Sequence, residues 1–202
     1  MTTETTFRLA FLVLLLALLA MRVFFMLRVR LAGERLLPDQ KAIAREGGRV
    51  VLMVRVAGFF LLMAFLVMYF TRSAWIDVFL FSLPAWLRWA GFVMGLVSVL
   101  FWTWTQVSLD TQWSAQLQLT KEHHLVTSGP YARMRHPLYT AMIGWSCSLA
   151  VLTANWIFVF IAALTLAAVV WRVPKEEKMM LEAFGEDYKA FTLRTGRYLP
   201  RL

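Results

Sequence analysis

The longest apolar stretch of this chain runs from Leu138 to Val173 and reads LYTAMIGWSCSLAVLTANWIFVFIAALTLAAVVWRV. It holds one charged side chain, Arg172, and it is much longer than the run of about 20 apolar residues that crosses a bilayer. Thr153-Ala154-Asn155 interrupts the apolar run with residues that suit a turn. We therefore predict two membrane helices that are joined tightly at this point.

Further apolar runs on the N-terminal side extend this pattern. Together they predict one all-α, polytopic membrane domain over 1–202, with five transmembrane helices at about 9–28, 50–70, 87–107, 137–153 and 155–173. The first run is interpreted as a helix of the mature protein rather than a signal peptide, because Glu4 precedes it and the run is long. The short aromatic segment 75–86 is interpreted as an interfacial stretch before the third span.

Composition and charge agree with a membrane protein. Of the 202 residues, 60% are hydrophobic and 16% charged, with a mean hydropathy of +0.63; this excludes a disordered chain and argues against an ordinary soluble domain. The net charge of +9 comes from basic residues in 28–49, 121–135 and 172–201, which share one side of five spans. Only Arg8, Arg72 and Arg88 lie on the other. The positive-inside rule then predicts an external N-terminus and a cytoplasmic C-terminus, without nucleic-acid binding.

Several polar or small residues lie inside the predicted spans. Arg22 and Arg55 are near cytoplasmic helix ends, where we expect their side chains to snorkel. Gly91 and Gly95 form a small-xxx-small pair, which predicts close packing within a monomer rather than dimerisation. Cys147 is the single cysteine, so an internal disulfide and a multi-thiolate metal site are excluded. Its apolar surroundings predict a buried structural thiol.

A polar loop, 108–136, separates the third and fourth predicted spans. Thr127-Ser128-Gly129-Pro130 is typical of a turn, and Pro137 suits the first turn of a helix. Arg135 and His136 therefore lie at a helix N-terminus, which favours an anionic group. The loop also carries His123 and His124, but no cysteine or carboxylate has standard ligand spacing, so no metal site is predicted.

The second polar block, 171–202, is predicted to form an amphipathic helical tail. Pro174 is expected to break or start a helix there, and Glu176 and Glu177 would then complement the dipole of the first turn. Arg172 and Glu176 could pair across one turn if the helix continues; otherwise Arg172 is equally well an interfacial anchor. An apolar stripe at spacings of three and four should dock on the membrane or the protein body. It consists of Leu181, Phe184, Tyr188 and Phe191.

These two blocks carry a recognisable set of motifs. Residues 123–131 read HHLVTSGPY, residues 135–139 read RHPLY, and the tail adds Glu176-Glu177, Phe184-Gly185, Tyr188, Arg197 and Pro200. Over roughly 110–202 they resemble the isoprenylcysteine carboxyl methyltransferase family of integral-membrane methyltransferases, and the chain length resembles its compact prokaryotic members. The family often has glycine two residues after the tyrosine of R-H-P-x-Y, where this chain has Ala141; the extra methyl could narrow the pocket.

The resemblance implies an S-adenosylmethionine cofactor bound on the cytoplasmic side by residues of 110–202. It implies methyl transfer to the carboxylate of a lipophilic, isoprenylcysteine-like molecule that enters from the bilayer, with membrane lipids as further partners. Arg172 would bind that carboxylate, and Arg172 and Glu176 would act in catalysis. The implied cofactor contacts are Gln116 (in uncertain register with Gln118), His123, Leu125, Val126, Tyr131, His136, Pro137, Leu138, Tyr139, Glu176 and Glu177.

Other functions remain open at the level of sequence. The same architecture could methylate a phospholipid or another amine, with Glu177 or His136 as the base that removes the ammonium proton. Membrane sterol reductases resemble this family in their C-terminal part and use a reduced nicotinamide cofactor, so an NADPH-dependent reductase is a second alternative. A non-catalytic membrane scaffold is the third, although it would not explain the two polar blocks beside helix ends.

Overall fold

The computed structural model describes residues 3–31, 48–71, 74–109 and 125–201. Within these ranges the fold is helical, and pairing between extended segments is limited to two isolated bridges. The helices are α1 (Thr3–Leu31), α2 (Gly48–Phe70), the single turn α3 (Ala74–Asp77), α4 (Ala85–Leu109), a 3-10 helix (Gly129–Ala132), α5 (Pro137–Thr153) and α6 (Trp156–Arg194). Gln116, His123 and His124 lie outside the described residues.

Three of the described helices are long and apolar enough to cross a membrane. These segments are Glu4–Leu31, Ala85–Leu109 and Trp156–Arg194. The apolar part of α2, Val56–Phe70, and the 17-residue α5 are shorter; α5 extends about 25 Å at 1.5 Å per residue. The all-helical fold is therefore confirmed, whereas the count of five spans stays a prediction.

The tight connection between α5 and α6 forms where the sequence predicts it. Ala154 adopts the left-handed conformation with φ of 48°, and the Asn155 side chain caps α6 by accepting from the backbone N–H of Ile157 at 2.9 Å. The buried Asn155 amide also donates to the carbonyl of Ile76 at 3.2 Å. The segment 75–86, predicted as interfacial, is thus hydrogen-bonded to the α5–α6 turn.

Two glycines let α4 pack closely between its neighbours. A Cβ atom at Gly91 would lie 2.8 Å from the backbone nitrogen of Leu152 on α5, and one at Gly95 would lie 2.6 Å from the Leu14 side chain of α1. The predicted close packing within one chain is confirmed. The adjoining core is built from all five long helices; its largest fully buried apolar side chains include Phe7, Phe11, Leu14, Tyr69 and Leu152.

Two arginines at the end of the bundle where α4 begins are buried rather than solvated. Arg8 and Arg88 are each 5% exposed. Arg8 pairs with Asp77, and Arg88 pairs with Glu4 and donates to the carbonyl of Leu152 at 2.8 Å. These ion pairs neutralise the buried charges and join α1 to α3 and α4. The positions of the two arginines in the sequence do not indicate this role. The 25 residues of α4 separate this cluster from the opposite end by about 37 Å.

Two sequence predictions are wrong in detail. Cys147 is exposed, because α5 turns Trp145, Ser146 and neighbouring side chains inward and leaves Cys147 on its outer face. The helix also does not break at Pro174; it runs from Trp156 to Arg194, and its non-helical position is Gly185. A proline removes one backbone donor, and the buried Val169 and Val173 hold the helix on its N-terminal side.

Of the two arginines predicted to lie inside membrane spans, the structure describes the side chain of Arg22. The guanidinium of Arg22 lies 5.9 Å from the ring centre of Trp102 on α4. Its charge therefore contacts an aromatic face in the bundle, a favourable arrangement for a cation. The Arg55 side chain lies outside the described residues.

Candidate functional site

The site forms where the chain leaves the end of α4 and enters α5. Gly129 begins the 3-10 helix with φ of +57°, and a Cβ there would lie 2.3 Å from the Ser108 hydroxyl near the end of α4. Glycine is therefore needed both for the conformation and for the close approach. Pro137 is the first residue of α5, and His136 is its N-cap without a side-chain capping bond. The predicted helix start at Pro137 is confirmed.

The C-terminal segment 195–201 folds back onto this helix start. Gly185, with φ of 50° and ψ of −121°, lets the chain change direction, since residues with a Cβ rarely adopt this conformation. The backbone N–H of Arg135 then donates to the carbonyl of Gly196 at 2.8 Å, and that of His136 donates to the carbonyl of Arg197 at 3.0 Å. This short ladder brings the tail beside α5.

Glu177 on α6 is the charged centre of this junction. One carboxylate oxygen accepts from Nε of Arg135 at 3.1 Å and from Nε of Arg197 at 3.1 Å, and it lies 3.3 Å from Nε2 of His136. The other oxygen accepts from Arg197 Nη2. Burial raises the pKa of the Glu177 carboxyl, but the contacts with His136, Arg197 and Arg135 outweigh it and hold the pKa at about 2. Glu177 is therefore ionised at neutral pH.

The neighbouring carboxylate, Glu176, has different partners. The Tyr139 hydroxyl donates to Glu176 Oε2 at 2.7 Å, and both Glu176 and Arg172 act electrostatically on that hydroxyl. Burial raises the pKa of Tyr131, and the charge of Glu176 raises it further, so this phenol stays protonated. A carboxylate, a guanidinium and two neutral phenols thus meet at the first turn of α5.

An apolar wall adjoins these polar groups. Tyr139 packs with the buried Val169 and Val173 of α6, and Tyr198 from the tail lies against the same cluster. The Thr140 hydroxyl donates to the carbonyl of Tyr198 at 2.7 Å, which fixes the tail at the level of the first turn of α5. Polar groups and an apolar surface therefore lie side by side, as a site for a charged and a lipophilic reactant requires.

Many of the predicted site residues come together. The group at the start of α5 and on the facing side of α6 consists of Tyr131, His136, Pro137, Tyr139, Arg172, Glu176 and Glu177. Leu138 is half-buried in the first turn of α5, and Leu125 and Val126 are half-buried in irregular chain before the 3-10 helix. Ala141, where the resemblance leads one to expect glycine, is 2% exposed within α5.

Sequence reasoning assigned no role to two residues of the junction. Arg197 was part of the quoted motif, but its ion pair with Glu177 spans 20 positions and has no local signal. Thr140 follows the R-H-P-x-Y motif directly, and its bond to the Tyr198 carbonyl depends on the tail folding back.

A profile of the isoprenylcysteine carboxyl methyltransferase (ICMT) family matches residues 90–182, from α4 into the second polar block. This segment, a little under half of the chain, is ICMT-like. It includes Tyr139, Glu176 and Glu177, whereas Arg197 and the C-terminal segment 195–201 lie outside it. Together with the apolar helices, the match indicates an integral membrane protein.

Individual ICMT relatives support the same statement. The chain is 37% identical over 86 residues to protein-S-isoprenylcysteine O-methyltransferase B of Arabidopsis thaliana, covering 40% of this chain and 42% of that protein. It is 31% identical over 85 residues to the Schizosaccharomyces pombe enzyme, with coverages of 40% and 34%. It is 37% identical over 90 residues to the Mus musculus enzyme, covering 42% of this chain and 30% of that protein. The matched segment thus spans less than half the length of these relatives.

A solved structure extends the ICMT likeness to the fold. The structure of the eukaryotic intramembrane Ras methyltransferase ICMT aligns with a TM-score of 0.52 and 24% sequence identity. The alignment covers 57% of this chain and 42% of the other. The helical arrangement of more than half of the chain is therefore shared with a membrane protein.

Proposed function

We propose that this protein is an S-adenosylmethionine-dependent methyltransferase of the membrane. It transfers a methyl group to the carboxylate of a lipophilic, isoprenylcysteine-like molecule. The observation that carries the proposal is the Tyr139–Glu176 hydrogen bond of 2.7 Å at the start of α5, beside Arg172 and inside the ICMT-like segment. The O-methyltransferase names of the relatives favour a carboxylate acceptor over an amine.

The residues present fit the proposed cofactor. S-adenosylmethionine carries hydroxyl and amino donors, an aromatic base, a carboxylate and a sulfonium. Glu176 supplies acceptor oxygens, the rings of Tyr131 and Tyr139 supply aromatic faces that suit a base or a cation, and the N-terminus of α5 at Pro137 favours an anion. His136 is 5% exposed, and it lies 5.7 Å from the Tyr139 ring, so it forms part of the wall of this site.

The reaction needs orientation more than acid–base chemistry. When bound, S-adenosylmethionine would supply an electrophilic sulfonium methyl group; a carboxylate oxygen of the acceptor would attack its carbon in line, and the sulfur would leave with the electron pair of the broken C–S bond. The products are a methyl ester and a neutral thioether, so no proton moves. The task of this chain is then to hold a carboxylate in line and to exclude water.

Arg172 is the residue proposed to hold the acceptor. A guanidinium binds a carboxylate through two parallel N–H groups and leaves a lone pair for attack. Arg172 lies one turn of α6 before Glu176, and both act on the Tyr139 hydroxyl. This places the proposed acceptor site directly beside the proposed cofactor site, next to the apolar cluster of Tyr139, Val169 and Val173.

We propose that a lipophilic acceptor reaches the site from the bilayer, beside the apolar cluster of Tyr139, Val169 and Val173. The basic residues of the predicted cytoplasmic side include Arg135 and Arg197 of the junction, so we propose that the site faces the cytoplasm, with the N-terminus of the chain outside. The charged cofactor would enter from water and the acceptor from lipid. A single chain contains every residue named for the site, which favours a monomer as the working unit.

Thermal unfolding of the detergent-purified protein tests the cofactor. A ligand that binds only the folded state stabilises it by about 2.7 kcal/mol at 100 times its Kd, so S-adenosylhomocysteine should raise the Tm and NADPH should not. Glu176→Ala should remove this shift. Glu182→Ala, on an exposed carboxylate of the same helix, is the control that should retain it. Stabilisation by NADPH alone would support a reductase instead.

Methyl transfer itself tests the acceptor. The protein in lipid nanodiscs receives S-adenosylmethionine labelled on the methyl group and an isoprenylcysteine with a blocked amine. Base-labile label in the isoprenylcysteine indicates a methyl ester, whereas base-stable label in a nanodisc lipid with an amine headgroup indicates N-methylation. Arg172→Ala should retain the S-adenosylhomocysteine shift and lose transfer; full transfer by this variant would remove Arg172 from the acceptor site.

A further inference from the structure

Two adjacent carboxylates of α6 serve different partners. Glu176 accepts from the Tyr139 hydroxyl at 2.7 Å and so belongs to the proposed reaction site. Glu177 instead contacts Arg135, Arg197 and His136. Successive residues of a helix point about 100° apart at 3.6 residues per turn, so one carboxylate faces the site while the other faces the tail.

We propose that Glu177 is a positioning residue that clamps the C-terminal segment 195–201 onto the start of α5, and that it does not bind the cofactor. This departs from the role that the family resemblance implied for it. The inference rests on the proposed function for its effect on cofactor affinity, whereas the clamp itself is measurable without any ligand.

The acceptor capacity of the Glu177 carboxylate is already used by its present partners. An ionised carboxylate offers about four lone-pair directions. In Glu177 one oxygen receives Arg135, Arg197 and His136, and the other receives a second N–H of Arg197. The side chain is 16% exposed. A cofactor hydroxyl or amine would have to displace one of these donors to reach it.

The partners of Glu177 belong to the two segments that it joins. Arg135 and His136 precede α5, and Arg197 lies in the tail. Arg135 also donates through Nη1 to the carbonyls of Thr192 and Thr195, at the end of α6. The carboxylate therefore links the start of α5 to both the last turn of α6 and the segment beyond it.

The charge of Glu177 separates two guanidinium groups that would otherwise repel each other. Without the Glu177 charge, the guanidinium groups of Arg135 and Arg197 would face each other across a partly buried gap, and like charges repel. The side chain of Arg135 is 13% exposed, so solvent screens this repulsion only in part. With the Glu177 carboxylate between them, both guanidinium groups are attracted to it, and the segment 195–201 is held at the start of α5.

The clamp holds groups that line the proposed site. His136 lies 6.2 Å from the ring of Tyr198 and 5.7 Å from that of Tyr139. Among the described residues, the ion pairs of Glu177 with Arg135 and Arg197 are the ones that connect the segment after Gly185 with the start of α5. Release of Glu177 would therefore loosen the His136 ring and the tail together while leaving the Tyr139–Glu176 bond in place.

Hydrogen exchange on the full-length protein tests the clamp without ligand. In Glu177→Gln, peptides that carry the amides of Arg135, His136 and Gly196 should exchange roughly 10- to 100-fold faster, the range expected when charge-assisted bonds are lost. Peptides from α4 should not change and show that the fold persists. Glu182→Gln, which removes an exposed carboxylate of the same helix, should leave every peptide unchanged.

Affinity for S-adenosylhomocysteine separates positioning from direct binding. If Glu177 acts as a positioning residue, Glu177→Gln weakens the affinity for S-adenosylhomocysteine as well as speeding exchange, and Arg197→Gln reproduces both effects. The exchange rate and affinity of the double variant are then close to those of either single variant. Arg197→Lys, which keeps the charge, recovers part of both. Unchanged exchange in Glu177→Gln overturns the proposal, whether or not affinity falls. Absence of any S-adenosylhomocysteine binding by the unaltered protein would count against the proposed function and leave the exchange result to decide on the clamp.

Discussion

The hydrogen bond between Tyr139 and Glu176 gives the sharpest test of the candidate site. Tyr139→Phe keeps the ring, which is 9% exposed and packed against Val169 and Val173, and removes only the hydroxyl that donates to Glu176 at 2.7 Å. The cavity left is small. The main loss is therefore the bond that fixes the direction of the Glu176 carboxylate.

The size of the effect follows from the charge on the acceptor. A hydrogen bond to a charged group contributes about 1.5–3 kcal/mol, and about 1.4 kcal/mol corresponds to a tenfold change in an equilibrium constant. If Glu176 binds the cofactor, S-adenosylhomocysteine affinity should fall roughly 10- to 100-fold in Tyr139→Phe. Glu176→Gln should weaken binding further, and the double variant should be less than additive because both changes disrupt one bond.

Calorimetric titration and thermal unfolding of the detergent-purified variants measure these quantities. Tyr69→Phe is a matched control, since Tyr69 is fully buried at the other end of the bundle and its hydroxyl has no hydrogen-bond partner within the described residues. That change should leave affinity unaltered and stability unchanged or higher. Strictly additive losses in the Tyr139 and Glu176 cycle would refute the reasoning, as would an unchanged affinity in Tyr139→Phe.

Three further predictions concern stability. Arg88→Leu should lower the unfolding free energy by about 3 kcal/mol, because it leaves the Glu4 carboxylate without its buried partner; thermal unfolding should show this with S-adenosylhomocysteine affinity retained, and an unchanged Tm would contradict it. Gly91→Ala should cost about 1–3 kcal/mol, since its Cβ would lie 2.8 Å from a backbone atom of α5; an equal or higher Tm would show that the helices separate freely. Glu177 has a pKa of about 2 in the folded chain against 4.5 ordinarily, so its contribution is complete above pH 4.5 and is lost as pH falls toward 2. Acid unfolding followed by tryptophan fluorescence should show this loss, and Glu177→Gln should reduce it; identical acid profiles would argue against the ion pairs.

Local sequence patterns predicted much of the fold. The break at Thr153-Ala154-Asn155 and the helix start at Pro137 follow from turn chemistry and from the missing N–H of proline, which act over a few residues. The close approach at Gly91 follows from the absence of a side chain. Helix packing of this kind needs only small residues at the right spacing, so the sequence is sufficient to predict the close approach.

The gathering of site residues was predicted only in part. Motif resemblance indicated Tyr139 and Glu176, which are 37 positions apart and hydrogen-bonded in the structure. It implied a cofactor contact for both Glu176 and Glu177, with a catalytic role for Glu176. Adjacent residues of a helix look equivalent in a motif, and their different directions become meaningful only when the surrounding segments are in place.

The helical class, the turn between α5 and α6 and the position where α5 begins each depend on neighbouring residues, so local sequence patterns predict them. The burial of Arg88 against Glu4, 84 positions away, and the ion pair of Arg197 with Glu177 are visible only in the folded chain. The same is true of the interruption of α6 at Gly185 rather than at Pro174. Ion pairs between distant segments leave no periodic pattern in a sequence, because the charge of an arginine is the same whether its partner is water, lipid or a carboxylate that folding brings beside it.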